Sequence, residues 1–482
     1  MSTTAPPTSA PPKRPARTRS ARSFGPLLLR LHFYAGVFVA PFILMAALTG
    51  LAYVFTPQLE RVVYADELTV TPGDAARPLS EQLAAARAAH PEGDLTAVRP
   101  GSGDTTTQVD FTSPELDFEH KHTVYVDQYT AEVTGQLTTW WASTPMRTWF
   151  DILHINLHLG DVGLYYSEFA ASWLWVIALG GVALWWRRQR GKRMLRPDLA
   201  ARKGVRRTRS WHASTGLWLS IGLLFVSATG LTWSEYAGTN FGAAVDSLHG
   251  SRPAVSTDLS GAATSTGGGH HDSSAPAPAG PPVDPAAIDG VQQVALANDI
   301  DGQVTITLPA NSGSAWTVTQ EDALWPVGRD SIAVDAATGQ VTDRIDFADW
   351  PLMAKLTQWG IYAHMGNLFG LANQLVLAAL ALGLICVIVW GYRMWWQRRP
   401  TRTDRRAFAG APPVAPGAWQ QLPEWAVVVG VPVVIAIGWF IPLLGVPLIA
   451  FLLMDLALGA IRRSRSGKPP AEAPVSPAPA GS

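Results

Sequence analysis

The stretch Asp151–Gly163, read as DILHINLHLGDVG, ends directly before a long apolar run and carries two histidines four residues apart. Side chains at this spacing lie on one face of a helix, so we expect the imidazoles of His154 and His158 to point the same way. A second stretch, Tyr362–Gly370, reads YAHMGNLFG and also precedes an apolar run. A shift of 206 residues places His158 on His364 (364 − 158 = 206), which indicates a doubled chain with one histidine of each copy near the same membrane face.

The composition is typical of a membrane protein. Of the 482 residues, 48% are hydrophobic and 15% are charged, whereas soluble domains are about a quarter charged. Four apolar runs are long enough, with their flanks, to cross a hydrocarbon core of about 30 Å. These runs are Leu27–Phe55, Phe169–Trp186, Leu217–Trp233 and Leu371–Trp396. The single cysteine lies in the fourth run, which excludes an internal disulfide and a CxxC site.

Basic residues are concentrated before the first run, between the second and third runs, and after the fourth. By the positive-inside rule these segments are cytoplasmic, and the long segments 57–165 and 237–360 lie outside. We therefore expect a multi-pass protein of a bacterial cytoplasmic membrane with both termini inside. The basic segments flank spans and lack interleaved aromatic residues, so we expect contacts with lipid headgroups and no nucleic acid binding.

A second internal shift, of 180 residues, relates the outward-going spans. It places His32 on His212 (212 − 32 = 180) and pairs the sequence Thr-Gly-Leu at 49–51 with the same sequence at 229–231. Each outer segment has a helix-like period followed by alternating strand-like stretches, with the helices expected at Leu79–His90 and Ala286–Ala297. The pattern indicates that a unit of span, outer α+β domain and span occurs twice.

The sequence predicts the following organisation. Tails at 1–23 and 462–482 are expected to be disordered, and a hydrophobic hairpin is expected at 423–461. Core spans are expected at 24–56, 151–187, 211–236 and 351–397. Outer α+β domains are expected at 57–150 and 286–350, a linker at 237–285 that is rich in Gly, Ser and Pro from 251, and cytoplasmic loops at 188–210 and 398–422.

The histidines at the span ends are candidate haem ligands. On this topology His32 and His212 lie near the cytoplasmic face, and His158 and His364 lie near the outer face, roughly 30–40 Å away along spans of about 25 residues. A facing pair at each level is what bis-imidazole ligation of haem requires. A single histidine at a span end is usually an interfacial polar residue, but the recurrence of four under two internal shifts favours ligation. His154 is either an alternative ligand, a supporting group or structural.

The chain lacks the common nucleotide-binding and hydrolase motifs, including GxGxxG in a strand–helix unit, the P-loop, HExxH and GxSxG. If the protein moves electrons, a quinol or a separate cytoplasmic reductase must supply them. A transporter is disfavoured because acidic residues are scarce in the core spans.

The chain resembles the PepSY-associated transmembrane family, often called iron-regulated membrane proteins, over about residues 24–400. The resemblance lies in RLHFYAG from Arg30, in the Thr-Gly-Leu ends, in VDQYTAEVTG from Val126 and VDAATGQVT from Val334, and in HLGDVG and HMGNLFG. It implies an all-α membrane bundle of four core spans with two extracytoplasmic α+β PepSY domains, to which the hairpin is an addition.

The characterised branch of this family implies a haem-containing siderophore reductase, and with the two histidine pairs we expect a di-haem b electron-transfer protein that reduces ferric siderophores, which are Fe(III) chelates, at the outer face. The ligand role carries over to His32, His158, His212 and His364, with His154 as an alternative. A second hypothesis is a non-enzymatic scaffold whose PepSY domains bind or inhibit an envelope peptidase.

Overall fold

The computed structural model describes residues 24–188, 195–201, 203–259, 284–309, 313–398 and 422–466. Most of the predicted tails lie outside these residues. The same holds for parts of the linker and of the predicted loops at 188–210 and 398–422.

Helices make up most of the described chain. In chain order they are α1 (Gly25–Phe38), α2 (Ala40–Tyr53), α3 (Thr56–Val63), α4 (Ala65–Leu68), α5 (Leu79–Ala89), α6 (Pro145–Asn156), α7 (Asp161–Arg188), α8 (Val205–Leu231), α9 (Glu235–Ser247), α10 (Ile288–Ala297), α11 (Leu352–Met365), α12 (Gly370–Gln397), α13 (Glu424–Phe440) and α14 (Pro442–Ser466). Helices α7, α8, α12 and α14 each contain a segment long and apolar enough to cross a membrane, and α1 with α2 forms a further candidate bent by 56°. The expectation of a multi-pass helical membrane protein is confirmed at this level.

The bend between α1 and α2 has a chemical cause in Pro41. Proline has no N–H, so Pro41 cannot bond the carbonyl of Val37 one turn earlier, and its ring crowds that carbonyl. The hydroxyl of Tyr392 on α12 donates a hydrogen bond of 2.8 Å to the oxygen of Val37. The bend therefore connects the first span to α12.

The spans form a closed ring. The bent pair α1–α2 packs on α7, α7 packs on α8, α8 packs on α12, and α12 packs back on α2. Buried apolar side chains fill the contacts, among them Ala35, Ile43, Ala47, Trp173, Leu223 and Leu384. Two diagonally opposed helices of such a ring can present side chains to each other across its centre.

The strands form an antiparallel sheet outside the bundle. They are β1 (Leu95–Arg99), β2 (Thr107–Phe111), β3 (His120–Val126), β4 (Val133–Trp140), β5 (Val304–Thr307), β6 (Trp316–Gln320), β7 (Ser331–Asp335) and β8 (Gln340–Ile345). Within the described ranges the sheet has eight strands in the order β4-β3-β2-β1-β5-β6-β7-β8.

The two predicted α+β segments keep their helix-and-strand order but share this one sheet. Strand β1 pairs with β5, with Ala97 opposite Thr307. Each of these strands would otherwise be an edge with unpaired backbone groups. Helices α5 and α10 also contribute to one buried cluster, in which Leu83 and Ile288 take part. Each large apolar side chain buried there stabilises the fold by about 1.5–3 kcal/mol.

The C-terminal helices α13 and α14 pack against the outside of the ring. Trp173 Nε1 on α7 donates to the carbonyl of Leu443 at 3.2 Å. Arg30 on α1 and Asp455 on α14 form an ion pair of 2.5 Å with side chains that are 2% and 0% exposed. Removing one partner of a buried pair leaves an uncompensated charge, so this contact holds the hairpin on α1.

Candidate cofactor-binding site

The structure brings four histidines together as two facing pairs. The rings of His154 and His364 have centroids 6.5 Å apart and planes at 50°. This is the sheet-side pair, at the end of the bundle that carries the sheet. The rings of His32 and His212 have centroids 6.4 Å apart and planes at 80°. This is the loop-side pair, at the end where α7 connects to α8.

Two short helices position the sheet-side pair. His154 lies in the last turn of α6 and His364 in the last turn of α11. Both helices end on a left-handed residue, Leu157 with φ 55° and Gly366 with φ 85°. This conformation stops a helix and turns the chain. The spans α7 and α12 begin directly after these turns, so each span is preceded by a helix that carries one histidine to the bundle.

Equivalent threonines hold the sheet-side imidazoles. The Thr49 hydroxyl lies 2.9 Å from His154 Nδ1 and donates to the carbonyl of Met45 at 2.9 Å. Thr229 lies 2.6 Å from His364 Nδ1 and donates to the carbonyl of Phe225 at 2.9 Å. Because each hydroxyl proton is directed to a carbonyl, each threonine oxygen accepts from Nδ1–H. This assignment leaves the Nε2 lone pair of both histidines free to bind a metal.

The loop-side pair is held differently. His212 Nδ1 lies 2.9 Å from the carbonyl of Val387. A carbonyl only accepts, so Nδ1 carries the proton and Nε2 is free. His32 Nδ1 is buried and faces the backbone of Ile177, but it makes no hydrogen bond of normal geometry. The loop-side pair therefore has one firmly oriented ring.

A glycine of a neighbouring helix lies against each of the four imidazoles. A Cβ added to Gly50 would lie 3.1 Å from His154 Cε1, and one added to Gly181 would lie 3.3 Å from His32 Cε1. The corresponding distances are 3.9 Å from Gly230 to His364 and 3.7 Å from Gly391 to His212. These glycines let a backbone approach the ring edge beside Nε2.

There is open space beside the loop-side pair. A Cβ added to Gly36 or Gly216, each one turn after a histidine of the pair, would meet no atom within 4 Å. A cavity of about 340 Å³ also adjoins His32, with mainly apolar walls from α1, α7 and the hairpin. The surroundings of this pair are therefore roomy and apolar.

The structure does not bring His158 to His364. Its side chain is exposed, and its Nε2 donates to the backbone carbonyl of Trp149 at 3.1 Å. His154 and His158 do not share one helix face, as their spacing predicts, because α6 ends between them at the left-handed Leu157, and His158 itself has φ 57°. Of the two histidines left open by the sequence, His154 is the one that faces His364.

The protonation of the sheet-side pair suits a metal ligand. Burial lowers the pKa of His154 to about 4. Burial, followed by the nearby His154, lowers the pKa of His364 to about 3. Both imidazoles are therefore neutral at pH 7, and the neutral form is the one that binds metals.

The pairs fit the iron of a porphyrin better than a bare metal ion. Two metal–nitrogen bonds of about 2 Å in line, with a ring radius of about 1 Å at each end, separate the ring centroids by about 6 Å. Both pairs match this separation. Within the described residues, no group of three or more His, Cys, Asp or Glu side chains could hold a metal ion. A porphyrin supplies the in-plane nitrogens itself and needs only two axial imidazoles.

The two levels are closer than the sequence suggested. His32 and Gly50, which lies beside His154, are 18 residues apart (50 − 32 = 18), and so are His212 and Gly230 (230 − 212 = 18). At about 1.5 Å per residue this is about 27 Å of helix, and less for the bent span.

Sequence reasoning missed the threonines that orient the sheet-side pair. The sequence signal for them is the repeated Thr-Gly-Leu at 49–51 and 229–231, which by itself indicates a duplication but not a contact with the imidazoles. In both copies the threonine contacts an imidazole nitrogen and the glycine contacts the same ring.

The family comparison covers both pairs. The family model described as the PepSY-associated TM region matches residues 29–398. This is 370 of the 482 residues (398 − 29 + 1 = 370), and it includes His32, His154, His212 and His364 but not the hairpin. A comparison with curated proteins finds no match for the chain.

Proposed function

This chain belongs to the PepSY-associated transmembrane family, and on that premise we propose that each histidine pair binds one haem b and that the protein carries electrons across a membrane. The observation that carries the proposal is the pairing itself. Two couples of imidazoles face each other, with ring centroids 6.4 and 6.5 Å apart, at two levels of one bundle.

In this proposal the residues of the chain orient the four imidazoles that would hold the haems. Bound haem supplies reversible one-electron chemistry at its iron. Thr49 and Thr229 keep the sheet-side Nε2 atoms unprotonated, and the Val387 carbonyl does the same for His212. The apolar spans exclude water from both levels, so the ligands meet little competition from solvent.

The proposal includes an architecture and an orientation. Each copy is a unit of span, PepSY domain and span, and the sheet lies outside a bacterial cytoplasmic membrane. The basic residues next to the loop-side ends of the spans support this orientation. With haem bound, the loop-side pair would hold the group that faces the electron donor, a quinol or a cytoplasmic reductase, and the sheet-side pair would hold the group that faces the acceptor.

The electron acceptor in this proposal is Fe(III) held in a chelate, such as a ferric siderophore. Hard anionic oxygen ligands bind Fe(II) more weakly than Fe(III), so one electron loosens the metal. The protein is then an oxidoreductase whose substrate never needs to cross the bilayer intact.

The experiment is a single-turnover reduction with the full chain in nanodiscs. The protein is reduced without oxygen, excess reductant is removed, and an Fe(III) chelate is added together with a colorimetric Fe(II) trap. We expect the reduced haem spectrum to disappear as trapped Fe(II) appears. A His364→Ala variant should lose this transfer, and His158→Ala should retain it because His158 faces away from the pair.

A haem-loaded protein whose reduced spectrum persists in the presence of every chelate tested would contradict the reductase activity. The alternative, a scaffold whose PepSY domains bind an envelope peptidase, stays a prediction. It is favoured if the quadruple variant lacking His32, His154, His212 and His364 still binds a peptidase as the native protein does.

A further inference from the structure

A group of basic and aromatic side chains lies on the sheet side, against the face of α11 that points away from the histidine pair. We call it the Arg252 cluster, and its members are Arg252, Glu321, Arg329, Trp350 and Tyr362. The Arg252 guanidinium lies over the ring of Trp350, 5.2 Å from its centroid. Arg329 is 5% exposed and pairs with Glu321.

The cluster has more positive than negative charge. The charged groups that act on Arg252 are Arg329, Glu321 and the ionisable Tyr362. In the described part of the chain, no carboxylate lies within ion-pair distance of the Arg252 guanidinium. Two guanidinium groups therefore share one carboxylate, and an anion at Arg252 would supply the missing charge.

Hydrogen-bond donors also outnumber acceptors here. Nε of Arg329 and Nε1 of Trp350 are buried without a partner, and so is Nε1 of Trp359 on α11. Indole and guanidinium groups donate only. Unmatched N–H dipoles make the local potential more positive, which favours an anion beside them.

The pKa of Arg252 also favours a bound anion at this cluster. Partial burial, followed by the charge of Arg329, lowers it from its ordinary value. A lowered arginine pKa means that the surroundings disfavour its positive charge. A bound anion would relieve this cost, because it offsets both guanidinium charges.

Other carboxylates nearby are engaged or solvated. Asp330 accepts from the backbone N–H of Phe347 at 2.6 Å, and Asp346 pairs with Arg344 at 2.7 Å. Asp349 precedes Trp350 but is exposed to solvent. None of them forms an ion pair with Arg252 within the described residues.

The corresponding sheet-side cluster in the first half of the chain has more negative than positive charge. There Arg147 lies 3.7 Å from Glu60 and also near Asp151. Burial raises the pKa of Asp151 to about 6. One arginine faces two carboxyl groups, so an anion is not favoured there. Of these two clusters in the described chain, the one around Arg252 is the one with a surplus of positive charge.

The cluster is also close to the sheet-side pair. The charges of Arg252 and Arg329 both act on Tyr362. Tyr362 and His364 lie two residues apart on α11. At 3.6 residues per turn they point to nearly opposite faces, so one helix separates the cluster from the histidine pair. A ligand bound at Arg252 would lie within one helix diameter, about 10 Å, of α11's inner face.

We propose that the Arg252 cluster is the docking site for the electron acceptor and that it selects anionic, oxygen-rich metal chelates over neutral ones. The identity of the ligand as an electron acceptor rests on the proposed function, whereas the binding itself does not. Trp350 is buried beneath the Arg252 guanidinium and holds it in place by a cation–π contact, so the selection rests on charge and on the unpartnered N–H donors.

The test uses gallium(III), which forms the same chelates as Fe(III) but does not accept an electron under these conditions. Calorimetry measures binding of gallium(III) tris(catecholate), an anion, and of a neutral gallium(III) trihydroxamate to the full chain in nanodiscs of zwitterionic lipid. We expect the anion to bind more tightly, by at least about 10-fold. Arg252→Gln should weaken the anion by about 10-fold and leave the neutral chelate unchanged.

The matched control is Arg344→Gln. Arg344 is a half-exposed arginine of the same sheet, but its charge is balanced by Asp346, so its loss should leave the anion affinity unchanged. The proposal is overturned if neither chelate binds, if both bind equally, or if Arg252→Gln and Arg344→Gln have the same effect. A colourless protein that still binds the anion through Arg252 would contradict the haem proposal and the role of the ligand as electron acceptor, while supporting the anion-binding site itself.

Discussion

The loop-side and sheet-side pairs have almost the same ring separation, 6.4 and 6.5 Å, but different surroundings. At the sheet side, two equivalent threonine hydroxyls hold both Nδ1 atoms. At the loop side, a backbone carbonyl holds His212, and His32 has no hydrogen bond of normal geometry. An apolar cavity lined in part by the hairpin adjoins His32 of the loop-side pair, whereas charged clusters lie near the sheet-side pair.

The two levels therefore share the separation between their imidazole rings, but they differ in the hydrogen bonds that orient those rings. A hydrogen bond from Nδ1 fixes the ring and raises the basicity of Nε2. Side-chain substitution can remove that support at the sheet side, but it cannot remove the Val387 carbonyl. The sheet-side pair is therefore the level at which the comparison can be tested without deleting a ligand.

The largest expected effect separates His154 from His158. We expect His154→Ala to lower the haem content of the purified protein from about two per chain to about one, because the sheet-side iron loses an axial ligand. The measurement is a pyridine haemochrome assay normalised to protein.

The control is the neighbouring His158→Ala variant, which should keep the full haem content since its ring packs on Trp149. Equal loss of haem in both variants, or loss only in His158→Ala, would show that the structural pairing is incorrect.

A smaller effect is expected from the threonines. Thr49→Val and Thr229→Val keep the side-chain shape but remove the acceptor of Nδ1–H, and loss of such a support typically weakens metal binding by about 10-fold. Haem release to an apoprotein trap should be faster by about that factor, for the sheet-side haem only.

Thr232→Val is the matched control for this pair of variants. Thr232 is one turn along from Thr229, and its hydroxyl bonds only the carbonyl of Thr229. If all three variants release haem at the native rate, the hydroxyls do not support the ligands.

The smallest effect concerns the glycines. Gly50→Ala brings a methyl group to 3.1 Å from His154, and mild overpacking costs about 1 kcal/mol, or roughly 5-fold in haem affinity. Gly230→Ala places its methyl group 3.9 Å from His364 and 3.7 Å from Ala171, which are ordinary contacts. Haem titration of the two variants should therefore differ, and equal affinities would argue against close packing at His154.

The sequence predicted apolar spans where the structure has α7, α8 and α12, and its four first-choice histidines include three of the four that the structure pairs. Apolar length and basic flanks determine where helices cross a membrane, so these features are local. The 180-residue shift placed His32 and His212 at one level, and the structure pairs them.

The remaining features depend on contacts between distant segments. The end of α6 at Leu157 decides that His154 faces His364, and no local signal at that leucine marks a left-handed residue. The pairing of β1 with β5 joins residues about 210 positions apart, as with Ala97 and Thr307 (307 − 97 = 210). The ion pair between Arg30 and Asp455 likewise connects the two ends of the described chain.

The most direct test of the central claim is the absorption spectrum of the purified full-length protein from haem-replete cells, with its haem-to-protein ratio. The account predicts a low-spin b-type spectrum that responds to dithionite and a ratio of about two, one haem for each facing pair. A colourless protein, or a high-spin spectrum unchanged when His32, His154, His212 and His364 are all replaced, would contradict it.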